Sequence, residues 1–185
     1  MPIFIPVTQI CLLLKIIYIG TTKTLILQFH VNRKKMEIDM PFITTQRLTN
    51  IGAKKMMDAA IKKAENIGIS ATIAIVDAGG HILLLERMDG GRFHTVHSST
   101  TKAITAASNR RPTTTRGAQG QDLDTLHAIG LSLAAGPNQW TAMEGGFPIF
   151  YDKECVGGIG VSGGDWEQDQ EIAQAAVDAV GATYE

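Results

Sequence analysis

The sequence has few of the residues that staple small folds or mark redox and metal centres. It is 185 residues long and contains two cysteines, Cys11 and Cys155, far apart in the chain. That excludes a disulfide framework and a cysteine zinc site, and it fits a reducing compartment, so a cytoplasmic location is expected. Aromatic residues are scarce at 6%. Neither sign of charge dominates, since 17 Lys and Arg face 18 Asp and Glu for a net charge of -1. The electrostatic basis for binding nucleic acid or an anionic membrane surface is therefore missing. There is no HExxH, no EF-hand loop and no Ser–His–Asp signature, so nothing in the sequence alone demands catalysis. Gly157-Gly158-x-Gly160 lies inside a strand-like run, not between a strand and a helix, which argues against a dinucleotide loop.

A long apolar run is missing as well. Ile3–Leu27 is apolar but Lys15 and Lys23 interrupt it, and its uncharged part, residues 3–14, is short of the ~20 residues a membrane span needs. Nor does the start resemble a signal peptide, because Pro2 follows Met1 with no charge and the basic cluster Arg33-Lys34-Lys35 comes after the apolar run. Three readings stay open. The working protein begins at Met36 or Met40, or residues 1–40 form a weak anchor flanked by the basic cluster, or they add a strand or helix. The composition shift near Met36 sets the division into an apolar extension, 1–40, and one domain, 41–185.

What is present suits a globular domain with its own core: 44% hydrophobic residues, 19% charged, and 19 glycines. Thr44-Thr45 precedes a helical pattern over 46–67, with Leu48, Ile51, Met56, Ala59, Ala60, Ala64 and Ile67 inward and Lys54, Lys55, Lys62 and Lys63 outward. Gly68 ends it. Ala71–Val76 and His81–Met88 read as two apolar strands joined at Asp77-Ala78-Gly79-Gly80, where glycine supplies the positive φ of a two-residue loop. The return strand then runs into charged residues and an exposed loop, Glu86-Arg87-Met88-Asp89-Gly90-Gly91, where a salt-bridged anchor is expected.

A second helix starts at Thr95 or Ser98, carries small inner residues (Val96, Thr100, Ala103, Ile104, Ala107), and stops before Pro112. Small residues let such a helix pack close to a sheet or to a copy of itself. Thr113–Gln121 is a polar loop. A third helix over 122–134 starts at Asp122 or Asp124 and carries Leu123, Leu126, Ile129, Leu131 and Leu133. Three strands follow: Trp140–Glu144, Phe147–Tyr151 after the turn Gly145-Gly146, and the glycine-rich Cys155–Val161, where absent side chains admit another backbone or a ligand. A last helix spans 166–180, opened by a capping box of Asp165 and Gln168. The order α-β-β-α-α-β-β-β-α predicts an α/β (α+β) fold, a single mainly antiparallel five-stranded sheet with helices packed on its faces.

Several stretches resemble one family. They are Ile75-Val76-Asp77-Ala78-Gly79-Gly80-His81, Glu86-Arg87-Met88-Asp89-Gly90, Lys102-Ala103-x-Thr105-Ala106, Gly145-Gly146-x-Pro148 and Val156-Gly157-Gly158-Ile159-Gly160-Val161-Ser162-Gly163. In this order and spacing they resemble the GlcG/HbpS family, the haem-degrading or DUF336 domain, which is similar to the C-terminal domain of PduO-type proteins. The likeness covers roughly residues 45–181. It implies a profilin-like fold, small homo-oligomers (dimer or higher) and, as in some members, haem binding or slow haem degradation. Members also occur beside genes of glycolate or diol catabolism. The chain departs from the family pattern in the histidines between Asp89 and Lys102 and in the polar stretch 109–125.

With haem as the candidate cofactor, the residues that could hold it are His94, His97, Arg87, Lys102, Phe93 and Met88. His94 and His97 stand at i and i+3, so a helix puts them on one face, and imidazole ligates haem iron and divalent metals. Phe93, Met88 and Val96 could line an apolar slot. Arg87, Arg92 or Lys102 could meet the propionates. The same histidines also read as ordinary residues at an exposed helix start, or as ligands of a non-haem metal. Lys102 either reaches an anion in a cleft or pairs with a neighbouring carboxylate. Asp165, Glu167 and Asp169 suit the dipole of the last helix. His81 reads as structural, His127 as a surface residue and Cys155 as a buried thiol. The expected partner is a small-molecule ligand. Three functions are in play: a haem- or tetrapyrrole-binding protein, an accessory protein or enzyme acting on a small hydroxy-acid or carboxylate held by Arg87 and Lys102, and a cofactor-free oligomeric module.

Overall fold

The structure is a computed structural model that describes residues 41–184. The expectations for 1–40 lie outside the described residues. Two compact units divide at Thr44/Thr45, and the second carries all the elements described below. No helix among the described residues is long and apolar enough to cross a membrane.

Helix α1 spans Asn50–Ile67, four residues later than its apolar pattern suggests. The reason is local. The Thr49 side chain accepts from Gly52 N at 3.1 Å and caps the helix, so Leu48 lies before the first turn and Ile51 is 71% exposed. The buried face is Ala53, Met56, Met57, Ala60 and Ala64, one stripe at helical spacing. Gly68 closes the helix at φ 82 as expected.

Strands β1 (Thr72–Asp77) and β2 (Ile82–Arg87) form the expected hairpin. Its loop has three residues, Ala78–Gly80, with Asp77 N donating to His81 O at 2.9 Å and Gly80 at φ 83. β1 is buried along most of its length. β2 is an edge strand and half exposed, so equal apolarity in the two strands did not mean equal burial.

Helix α2 covers Thr95–Asn109, helix α3 Thr125–Ala135, strands β3 and β4 Gly146–Tyr151 and Glu154–Ser162, and helix α4 Trp166–Asp178. The capping box on α4 is present, with Asp165 accepting from Gln168 N and Gln168 accepting from Asp165 N. The sheet is α+β in arrangement, antiparallel throughout, in the order β2-β1-β4-β3.

Among the described residues it has four strands, which corrects the expected five. Trp140–Glu144 is irregular. Its amides find side-chain acceptors instead of a ladder: Thr141 N donates to Thr105 Oγ1 at 3.0 Å and Met143 N to Thr141 Oγ1 at 3.1 Å. A buried backbone needs partners, and hydroxyls serve as well as a neighbouring strand.

One face of the sheet buries Ile73, Ile75, Ile149, Ile159 and Val161 against α1 and α4. Among the described residues the helix packed on the other face is α2, over a small cluster of Ala74, Val76, Ala103 and Ala107. Here the glycine-rich strand has its use. A Cβ at Gly160 would meet Ala103 N at 2.5 Å, one at Gly146 would meet Lys102 O at 2.5 Å, and one at Gly158 would collide with Ala103 O. Gly146 and Gly160 are cross-strand partners. The bare patch lets the backbone of α2 lie directly on the sheet.

Candidate functional site

β2 leaves the sheet at Arg87, and a tight turn follows, with Gly91 N donating to Met88 O at 2.9 Å and Gly90 at φ 83. The chain then coils into α2. Thr95 fixes that entry. Its Oγ1 lies 2.6 Å from Thr72 Oγ1 of the central strand β1, and the residue is 3% exposed. Ser98 Oγ donates to Ser162 Oγ at 2.8 Å, tying the first turn of α2 to the end of β4.

On this anchored entry the residues just before and after Thr95 turn outward. His94 occupies the N-cap position without making a side-chain cap. His94 and His97 are both exposed, and neither ring makes a hydrogen bond among the described residues. Phe93 is 80% exposed and meets His94 edge-to-face, with ring centroids 5.9 Å apart. Two arginines precede this cluster in the chain. Arg92 Nη2 donates to Gly163 O at 3.0 Å and Arg87 Nη1 to Gly91 O at 3.2 Å. Each keeps further N–H groups for an anion. The expected salt-bridged anchor is absent among the described residues, because the partner of Arg87 is a backbone carbonyl and not Glu86 or Asp89.

Two of the sequence candidates lie elsewhere. Met88 is half-buried and packs against the core on the α1/α4 side. Lys102 is 4% exposed. Its Nζ donates to Val161 O at 2.7 Å and to Asp169 Oδ2 at 2.8 Å, while Asp169 Oδ1 accepts from Gly164 N at 3.0 Å. The structure thus pairs Lys102 with a carboxylate, one of the two alternatives open in the sequence, and Asp169 is a buried ion-pair partner as well as a first-turn residue of α4. Phe93 and His94 touch, His97 follows one turn on in α2, Arg92 lies on the preceding loop and Arg87 ends β2, and all five are exposed. They form an open ledge. The hollows of about 450, 330 and 220 Å³ are each lined by residues outside 86–102.

His81 stands at the opposite end of the hairpin, its Nδ1 3.3 Å from Asp77 Oδ1. The backbone N–H of His81 bonded to the Asp77 carboxylate, helped by that of Gly79 and by the nearby His81 ring, holds this acid below its ordinary value of 3.8. His127 is exposed, as expected. Cys155 is half-buried, with its Sγ 3.4 Å from Gly157 O. Sequence reasoning missed Asp169 as the partner of Lys102 because 67 positions separate them. It missed the role of Thr95 as a buried anchor because only the partner threonine on β1 reveals it.

Residues 48–178 match the family described as haem degrading protein HbpS-like. The chain is 33% identical over 131 residues to the 15.0 kDa protein of the dhaT–dhaS intergenic region of Citrobacter freundii, covering 71% of this chain and 90% of that one. The DUF336 protein ORFY of Klebsiella pneumoniae superposes with a TM-score of 0.68 at 32% identity, over 78% of this chain and 97% of that one. The PduOC:haem complex superposes with a TM-score of 0.65 at 26% identity, over 76% and 99%.

Proposed function

The chain belongs to the HbpS-like family, and on that premise we propose that it binds haem on the ledge formed by Phe93, His94 and His97. The observation that carries this reading is the pair of exposed imidazoles, neither hydrogen-bonded among the described residues, beside an exposed aromatic ring. An exposed apolar ring in a soluble domain is worth explaining when it adjoins metal-ligating groups. The solved haem complex of a structural relative supports the choice of cofactor.

The donor set fits haem. His94 or His97 would supply an imidazole to the iron, and the exposed Phe93 ring would give haem an apolar contact. Arg92 and Arg87 would meet the propionates with the N–H groups their carbonyl bonds leave free. Met88 and Lys102 belong to the frame: Met88 seats the loop on the core, and Lys102 with Asp169 secures the turn at Gly163–Gly164 that holds Arg92. Bound haem supplies the iron chemistry of any slow haem breakdown, and the chain's own residues bind and orient it.

A ledge excludes water poorly. A second copy of the chain covering it makes a slot, which agrees with the homo-oligomer implied by the family likeness. Titration with haemin, followed at the Soret band, tests the reading.

A further inference from the structure

At the other end of α2, roughly 22 Å along the helix from His94, lies a hollow of about 330 Å³. It is walled by the C-terminal end of α2, the loop after it, α3 and Trp140. We propose that this hollow binds a small organic carboxylate with an apolar body, independently of haem.

Charge carries the first part of the argument. Arg111 lines the hollow and is half-buried. Its Nη1 donates to Gly117 O at 2.8 Å, and no carboxylate pairs with it among the described residues. A partly desolvated guanidinium with free N–H groups on a cavity wall is a seat for a planar anion. The nearby acids are otherwise engaged or exposed. Asp124 caps α3, accepting from His127 N at 2.9 Å, and Asp122, whose backbone bridges to Arg116, is exposed.

The loop itself is built and not merely long. Gly117 N donates to Gln121 O at 2.8 Å, Gly120 N to Gly117 O at 3.0 Å and Gln119 N to Gln121 Oε1 at 3.2 Å. These bonds hold Gln119 and Gln121 at the rim, where both amides retain N–H donors for a second oxygen.

Size and lining set the rest of the ligand. The volume is at the low end of the ~300–1,000 Å³ typical of small-molecule sites. Trp140 and Leu123 give it an apolar wall, against which an aryl or branched-alkyl group stacks. A bare oxyanion leaves that wall unused.

The test uses the full chain with Trp166→Phe, so that Trp140 is the remaining tryptophan of the two. Phenylacetate, its neutral isostere phenylacetamide and inorganic phosphate are each titrated against Trp140 fluorescence. The proposal expects a saturable change with phenylacetate, and binding weaker by about ten-fold or more for the amide, for phosphate, and for phenylacetate with Arg111→Gln. Gln119→Ala, whose side chain takes no part in the loop's hydrogen bonds, weakens phenylacetate binding by a smaller factor and separates loss of contact from loss of the loop. No saturable change up to about 10 mM, equal binding of the amide, or phosphate binding as well as phenylacetate overturns it. Haemin binding at the far end of α2 is unaffected by any of these results.

Discussion

Lys102 and Asp169 meet at 2.8 Å with both side chains 5% exposed, although the helices that carry them lie on opposite faces of the sheet. The lysine reaches past the end of β4, donating to Val161 O on the way. Gly145, at φ 101, leaves the passage open: a Cβ there would stand 2.8 Å from Asp169 Cβ and 3.0 Å from Lys102 Nζ. Removing one partner strands the other charge in the interior. Asp169→Leu is expected to cost about 3–5 kcal/mol, and the double variant Lys102→Met/Asp169→Leu less than that single one. A urea-denaturation double-mutant cycle measures both. Additive losses would mean that the two groups do not stabilise each other.

Glycine contacts give a second, paired prediction. Gly160→Ala drives a methyl group into the backbone of α2 at Ala103 N and is expected to destabilise by at least ~2 kcal/mol. Gly130→Ala, in α3 with open space around the added Cβ, is expected to be neutral or to stabilise by about 0.5–1 kcal/mol. Thermal melts of the two variants should move in opposite directions or differ widely. Equal shifts would remove the close approach of α2 as the reason for the glycine-rich strand.

These features mark the division between what was legible in the sequence and what was not. The β1–β2 hairpin, the cap at Gly68 and the Asp165/Gln168 box are local, and each declares itself within a few residues. The glycines of β4 announced a close approach but not its partner. Trp140–Glu144 looked like a strand because its acceptors, the hydroxyls of Thr105 and Thr141, are visible only in three dimensions. Of the site, the i, i+3 spacing put His94 and His97 on one face near a helix start, while the choice between Thr95 and Ser98 as that start was open until the structure placed it at Thr95. The inward packing of Met88 and the capture of Lys102 depended on α4 and the core, which no short window contains.

α3 has no buried residue although it is strongly apolar, with Leu126 80% and Leu133 76% exposed. Leu133→Ser is therefore expected to change the stability of the isolated chain by no more than ~0.5 kcal/mol. Ile159→Ala, in the main core, is expected to cost about 2–5 kcal/mol. Denaturation at low protein concentration compares them. A large loss from Leu133→Ser would show that α3 is covered in solution.

Asp77 gives the pH prediction. Its folded-state value lies below 3.8, so its contribution is fully present above that pH and is lost as pH falls through the depressed value. Asp77→Ala is expected to cost about 1 kcal/mol near neutral pH. The gap between variant and wild type should narrow below about pH 3.8. The carboxylate is partly exposed, so the effect is modest. A gap that widens on acidification would reverse the assigned direction.

The central claim is haem binding at the start of α2, and a haemin titration of wild type against His94→Ala/His97→Ala tests it most directly. Both rings are exposed and make no hydrogen bond among the described residues, so the double variant should melt close to the wild-type temperature. The wild type is expected to give a saturable Soret shift, and the double variant to bind at least about ten-fold more weakly. No saturable shift in the wild type, or equal binding by the double variant, would contradict the account.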